Sequence, residues 1–282
     1  MPPAISRRTF LKASLAVLGG AIASAPLAWL YATQIEPDWL EIERVSVPLL
    51  GLDPSLSGFT LAHFSDLHLG PHMSAEEALR VVERVNASGA QVVVYSGDFV
   101  SQLHQGEAET IVEVFSRLHA SEGVFAILGN HDHWTDADLV AEAARAAGVT
   151  LLRNQGMALQ DGALWLAGVD DVWEGKQDLR GALEAAPDRA TRILLAHEPD
   201  FADEAAAGGK VALQLSGHSH GGQVRLPFLG ATVLPHLGRK YPYGLRQVGS
   251  MWLYTNRGVG VVSPPVRFNC RPELTLLTLL PA

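Results

Sequence analysis

Five short polar clusters carry the residue types that hold divalent metal ions and move protons: Asp66-Leu67-His68, Gly97-Asp98, Gly129-Asn130-His131-Asp132, Ala196-His197-Glu198 and Gly217-His218-Ser219-His220-Gly221-Gly222. Asp66, His68, Asp98, Asn130, His197, His218 and His220 make a mixed set of carboxylate, amide and imidazole donors, which suits a pair of hard or borderline divalent cations. The single cysteine, Cys270, excludes thiolate-rich zinc sites. Asp98 is the natural carboxylate to bridge two ions. Such a pair clamps a phosphate, brings the pKa of a water toward neutrality and stabilises an in-line displacement. His131 is not required by the ligand count. Beside Asn130 it can protonate a leaving oxygen or stabilise charge on the phosphoryl group.

The elements that must position these groups alternate between β-branched runs and amphipathic segments, the pattern of an α/β protein. Strands are expected over Phe59 to Phe64, Gln91 to Tyr95, Val124 to Leu128, Ile193 to Ala196 and Val211 to Leu215. Helices are expected over Ser74 to Ala87, Glu107 to Leu118 and Asp136 to Ala146, the first starting at a capping box of Ser74 and Glu77. Each polar cluster follows the carboxyl end of a strand, where α/β sheets bind ligands. The step from Asp66 to Asp98 equals that from Asp98 to Asn130, 32 residues, the length of one strand-helix-strand unit. Within Asp66-Leu67-His68 and His218-Ser219-His220, extended backbone would project alternate residues to one side, so that each pair serves one centre. The flanking glycines permit sharp turns and close approach to a substrate.

These blocks, in this order, resemble the calcineurin-like metallophosphoesterases, and the likeness runs from about Val45 to the C-terminus. The resemblance implies a four-layer α/β/β/α sandwich, two divalent ions such as Mn, Fe or Zn, one ion at Asp66, His68, Asp98 and His220, the other at Asp98, Asn130, His197 and His218, and His131 as the catalytic histidine. The Ser/Thr phosphatase branch carries Asp-Arg-Gly after the second block. Here Gly97-Asp98 is followed by Phe99-Val100-Ser101-Gln102, which disfavours phosphoproteins as substrates. The run Gly217 to Gln223, Arg225-Leu226-Pro227-Phe228 and Asn256-Arg257-Gly258-Val259-Gly260 look like an exported or membrane-linked subgroup, some members of which hydrolyse the pyrophosphate of UDP-2,3-diacylglucosamine. A generic phosphodiesterase or phosphomonoesterase, or a non-catalytic metal- or lipid-binding protein, are the alternatives. Leu226 to Tyr243 is apolar and aromatic with Arg239 and Lys240 among it, which suits either a membrane-surface loop or an ordinary loop covering the core.

With 282 residues and 48% hydrophobic content, the chain can bury one large core, assigned to residues 41–282. The net charge of -9, without a basic run beyond the first dozen residues, argues against nucleic acid as partner. Residues 1–32 read as an address: Ser6-Arg7-Arg8-Thr9-Phe10-Leu11-Lys12 precedes an uncharged apolar run and resembles a twin-arginine signal. That implies the twin-arginine export machinery as a partner, and the periplasm or the outer face of the cytoplasmic membrane as destination. Pro26 follows the Ala23-Ser24-Ala25 cleavage site and blocks the peptidase, so a retained membrane anchor is expected. His63, His72, His104, His119, His133 and His236 have no paired position at a strand end and are read as non-ligands. Asp132 and Glu198 either orient histidines or are solvated loop acids.

Overall fold

Short β-branched runs form two six-stranded sheets in the computed structural model, which describes residues 6–102 and 106–282. The first sheet has the spatial order β1 (Glu41–Leu49), β14 (Glu273–Pro281), β2 (Thr60–Phe64), β3 (Val92–Ser96), β4 (Val124–Ile127) and β5 (Thr150–Leu151). β2 to β5 run parallel, and β14 is antiparallel to β2. The second has the order β12 (Gly244–Val248), β13 (Met251–Thr255), β9 (Leu213–Ser216), β8 (Thr191–Leu195), β7 (Leu164–Gly168) and β6 (Gln155–Leu159), parallel from β13 to β7. A small hairpin joins β10 (Arg225–Leu226) to β11 (Gly230–Ala231).

Three apolar layers hold these sheets. Between them, Leu61, Val92, Val94, Phe125 and Ile127 meet Leu164, Leu166, Ile193, Leu195 and Leu215. On the outer face of the first sheet, Phe64, Val93 and Tyr95 pack against α2 (Ala75–Ala87), α3 (Glu107–Phe115) and α5 (Ala137–Ala146). On the outer face of the second, Ala167, Leu194 and Leu253 meet α6 (Leu179–Leu183) and α7 (Ala202–Ala207). The result is the α/β/β/α order expected. Strands covered on both faces must be apolar throughout, which is why they read as continuous runs. Each fully buried Leu, Ile, Val or Phe contributes roughly 1.5–3 kcal/mol, so the layers fix the strand ends firmly. Helix α2 begins at the Ser74 and Glu77 capping box, and buries Ala78, Val81, Val82 and Val85, the spacing of one helical face.

Two local expectations are corrected. Helix α3 ends at Phe115 rather than Leu118, because residues 116–118 close it in a turn while Leu118 still reaches the core. The third polar cluster is not a loop: Asn130 opens α4 (Asn130–Thr135). Of the strands that complete both sheets from the C-terminal third, β13 and β14 pair with partners far away in sequence, and β12 joins β13 by a hairpin. At the N-terminus, α1 spans Arg7–Leu30 with Pro26 inside it. No helix among the described residues is long and apolar enough to cross a membrane. Residues 1–5 of the expected address and His104 lie outside the described residues.

Candidate metal centre

The strand ends of β2, β3, β4, β8 and β9 converge, and with them all seven residues expected as ligands. Their backbone is not extended. Asp66, His68, Asp98, His218 and His220 all take left-handed conformations, with φ of 54°, 51°, 61°, 68° and 49°. Such values are uncommon outside glycine and cost of order 1–3 kcal/mol each, so they persist only where the surroundings impose them. The extended-strand reading therefore fails; Asp66 and His68 still share one cluster, but His218 and His220 do not. Histidines 218 and 220 face different clusters: Asp66, His68 and His220 form one, and Asp98, His197 and His218 another. The nearby glycines serve loop-to-loop approach. A Cβ on Gly97 would lie 2.7 Å from His197 Nδ1, and one on Gly129 would lie 2.8 Å from His197 Cε1 and closer still to Asp98 Oδ1.

Asp98 lies between the two clusters. Its Oδ1 accepts from the His131 amide at 3.0 Å, while Oδ2 stands 3.2 Å from His197 Nε2 and 3.5 Å from His68 Nε2. His220 Nε2 is 3.5 Å from Asp66 Oδ1 and 3.0 Å from His68 Nε2. The chain also sets several tautomers. His197 Nδ1 donates to the Ser96 carbonyl at 2.7 Å, and His218 Nε2 to that of His236 at 2.7 Å, so each ring turns its other nitrogen toward the centre.

These donors fit divalent cations on three counts. His197 Nε2 and Asn130 Oδ1 are buried without a hydrogen-bond partner, a costly condition that a cation removes. Two Nε2 atoms face each other across 3.0 Å in the first cluster. Burial also drives His68 and His218 down to about 3, and His220 well below its ordinary range, leaving neutral rings as metal ligation requires. Burial opposes charge on Asp98 and His197 too. Their mutual attraction prevails, holding Asp98 well below and His197 well above their usual ranges. Burial pushes Asp66 up to about 6, with His197 opposing and the charge of Asp98 adding to the rise.

When bound, a pair of divalent cations supplies Lewis acidity toward a phosphoryl oxygen and acidifies a water. The chain does the rest. His131 Nδ1 donates to the Ser101 carbonyl at 3.0 Å, which orients the ring and leaves Nε2 for proton exchange in the cavity that His131 lines. Its ring is braced edge to face against His68, with centroids 4.7 Å apart.

Asp132 and Glu198 are neither solvated nor partners of histidines. Fully buried Asp132 accepts from the amides of Asp98 (3.0 Å), Gly129 (2.9 Å) and Val100 (3.2 Å), tying the second cluster to the third. Buried Glu198 accepts from Val172 and Trp173, both at 3.2 Å. Among the histidines read as non-ligands, His63 bonds Ser96 Oγ in the core, His133 bonds Asp170 at 2.7 Å, and His72, His119 and His236 are exposed. Sequence reasoning missed Tyr95, whose hydroxyl donates to Asp98 O and accepts from Leu67 N. The only signal was one phenol in an aliphatic strand. It also missed Trp134 and Trp173, whose rings meet edge to face at 5.2 Å beside the centre.

A cavity of about 440 Å³ opens on Asp98, Asn130, His131, His218 and His220, and its far wall is apolar: Val224, Val233, Pro235, Val262, Pro264 and Val266. A profile of the calcineurin-like phosphoesterases matches residues 59–222. The chain is 36% identical over 284 residues to an uncharacterized metallophosphoesterase of Bacillus subtilis, YkuE, with 98% of each chain covered. It is 31% identical over 285 residues to phosphodiesterase YaeI of Escherichia coli, covering 98% of this chain and 100% of that one. It is 32% identical over 258 residues to a Danio rerio transmembrane protein with a metallophosphoesterase domain, covering 85% of this chain and 57% of that one. The chain belongs to the calcineurin-like phosphoesterases and is a metal-dependent phosphoester hydrolase.

Proposed function

We propose that, within the calcineurin-like phosphoesterases, this chain is a phosphodiesterase or pyrophosphatase whose substrate carries a lipid, UDP-2,3-diacylglucosamine being one such molecule. In this reading Asp66, His68, Asp98, Asn130, His197, His218 and His220 hold the two ions and His131 acts on the substrate. The observation that carries it is the cavity's division into a polar end at Asp98, Asn130 and His131 and an apolar wall that continues outward. Along that wall the hairpin β10–β11 and its flank expose Phe228, Leu229 and Val233 at 108%, 77% and 76%. These residues do not cover the core, so an acyl chain that leaves the cavity along them buries apolar surface on both sides. The name of the Escherichia coli relative, a phosphodiesterase, supports diester chemistry.

The test compares bis(p-nitrophenyl) phosphate with UDP-2,3-diacylglucosamine, using Mn²⁺-loaded wild type and Val233→Asp. Val233 is exposed at the cavity rim, so the variant is expected to fold. KM for the acylated substrate should rise about tenfold or more, in line with roughly 1–3 kcal/mol for an apolar contact. The value for the small diester should not move. Equal effects on both substrates would exclude a lipid subsite on this wall.

The same proposal takes residues 1–32 as a twin-arginine leader kept as a membrane anchor and residues 41–282 as the catalytic domain, working in the periplasm or at the outer face of the cytoplasmic membrane. Replacing Arg7-Arg8 by Lys-Lys should leave the protein in the cytoplasm. N-terminal sequencing of membrane-bound protein should begin before Ala23, and a start beyond Ala25 ends the anchor idea.

A further inference from the structure

Residues 31–39, directly behind α1, lie along residues 267–271. The Arg267 amide donates to Ala32 O at 2.9 Å, the Tyr31 and Phe268 rings meet edge to face at 6.3 Å, and the Arg271 guanidinium lies 3.7 Å over the Trp39 ring. Glu36 pins the pair. It is fully buried, and its carboxylate accepts from the Asn269 amide at 2.9 Å and from the Cys270 amide. Hydrogen bonds to an ionised acceptor are about twice as strong as neutral ones, and burial makes their loss costly.

Two routes lead from the pinned turn to the metal centre. Cys270 Sγ donates to His220 O at 3.2 Å. The second route starts at Arg267, also fully buried, whose guanidinium donates to four backbone carbonyls: Cys270, Arg257 and Gly258 at 3.0 Å and Gly260 at 2.6 Å. The loop held in this way passes against Asp66. The Gly260 amide donates to Asp66 O at 2.7 Å and the Val259 amide to Ser65 O at 3.0 Å. Both routes end in the cluster of Asp66, His68 and His220. The cluster of Asp98, His197 and His218 meets the first where the His218 amide donates to the Asp66 carboxylate at 3.1 Å, but its ligand rings and Asp98 are held from elsewhere, by Asp132 and by the carbonyls of Ser96 and His236.

We infer that Glu36 is a positioning residue for one metal ion of the two: by clamping the 267–271 turn, it holds Asp66 and His220 in ligating geometry, so the segment behind α1 is a working part of the active site. The inference rests on the proposed ligand set. Mn²⁺ binding by the full-length chain, measured by equilibrium dialysis with elemental analysis, separates the two ideas. Wild type is expected to bind two ions. In Glu36→Ala one should weaken by about 10- to 100-fold, the usual effect of losing a group that orients metal ligands, with the other within twofold. Glu36→Gln, which keeps an acceptor oxygen without the charge, should fall between. Trp39→Ala removes the stacking on Arg271 at the end of the same turn but leaves the Glu36 hydrogen bonds to Asn269 and Cys270, and should lower thermal stability while leaving both affinities in place.

Unchanged affinities in a folded Glu36→Ala, or in Glu36→Gln if the alanine variant does not fold, overturn the inference. Equal weakening of both ions in a folded variant overturns it as well. A wild-type chain that binds no Mn²⁺ instead defeats the ligand set on which it rests.

Discussion

His131→Ala is expected to lower kcat on a phosphodiester by about 10²- to 10⁴-fold, the range for a positioned proton donor, while metal content and fold stay near those of the wild type. The ring bonds the Ser101 carbonyl through Nδ1; it stands close to His68 and Asp98 as well, but each of those already belongs to one of the clusters around Asp66 and His197, which are complete without His131. Its own amide, which donates to Asp98 Oδ1, survives the substitution. Leaving groups refine the test. If His131 protonates the departing oxygen, the loss should shrink for p-nitrophenolate, which departs unaided, and grow for a sugar or nucleoside alkoxide. If it stabilises phosphoryl charge, the two losses should match. Unchanged kcat with both substrates, in a variant holding both ions, would remove His131 from the chemistry.

Asp98→Ala should have the larger effect, abolishing turnover and releasing at least one equivalent of bound metal. Asp98 Oδ2 stands within 3.5 Å of a ring nitrogen from each cluster, His68 in one and His197 in the other. One truncation therefore strips a carboxylate from both. Metal ions contribute several kcal/mol to stabilising the transition state, and each 1.36 kcal/mol is a factor of ten. A fall of at least about 10³-fold in kcat/KM follows, with elemental analysis reporting the metal. Full metal content in the folded variant would rule out a bridging role, whatever the activity.

The difference between these variants follows from position. Asp98 is buried among opposing ring nitrogens, and burial alone would neutralise it. The attraction of His197, with His131 and His68, keeps it ionised. His131 is only partly buried and faces the cavity. The first is bound to the centre, and the second can reach a substrate.

The residue types and their register were legible in the amino-acid sequence. Strands covered on both faces must be apolar, so the polar run after each marks its end. The equal steps from Asp66 to Asp98 to Asn130 follow from the length of a strand-helix-strand unit. Metal chemistry narrows the donors to a few side chains, so all seven expected ligands could be named before their geometry was known. Tertiary structure alone decided how they are shared. His218 and His220 are two positions apart, yet left-handed backbone at both turns them to different clusters. Such conformations are imposed by packing rather than favoured by the residues that adopt them. The roles of Asp132 and Glu198 were equally hidden, because a buried carboxylate that collects backbone amides looks like any loop acid in one dimension. Glu36 was beyond reach for the same reason: its partners lie more than two hundred residues away, at Asn269 and Cys270, and only closure of the first sheet by β1 and β14 brings them together.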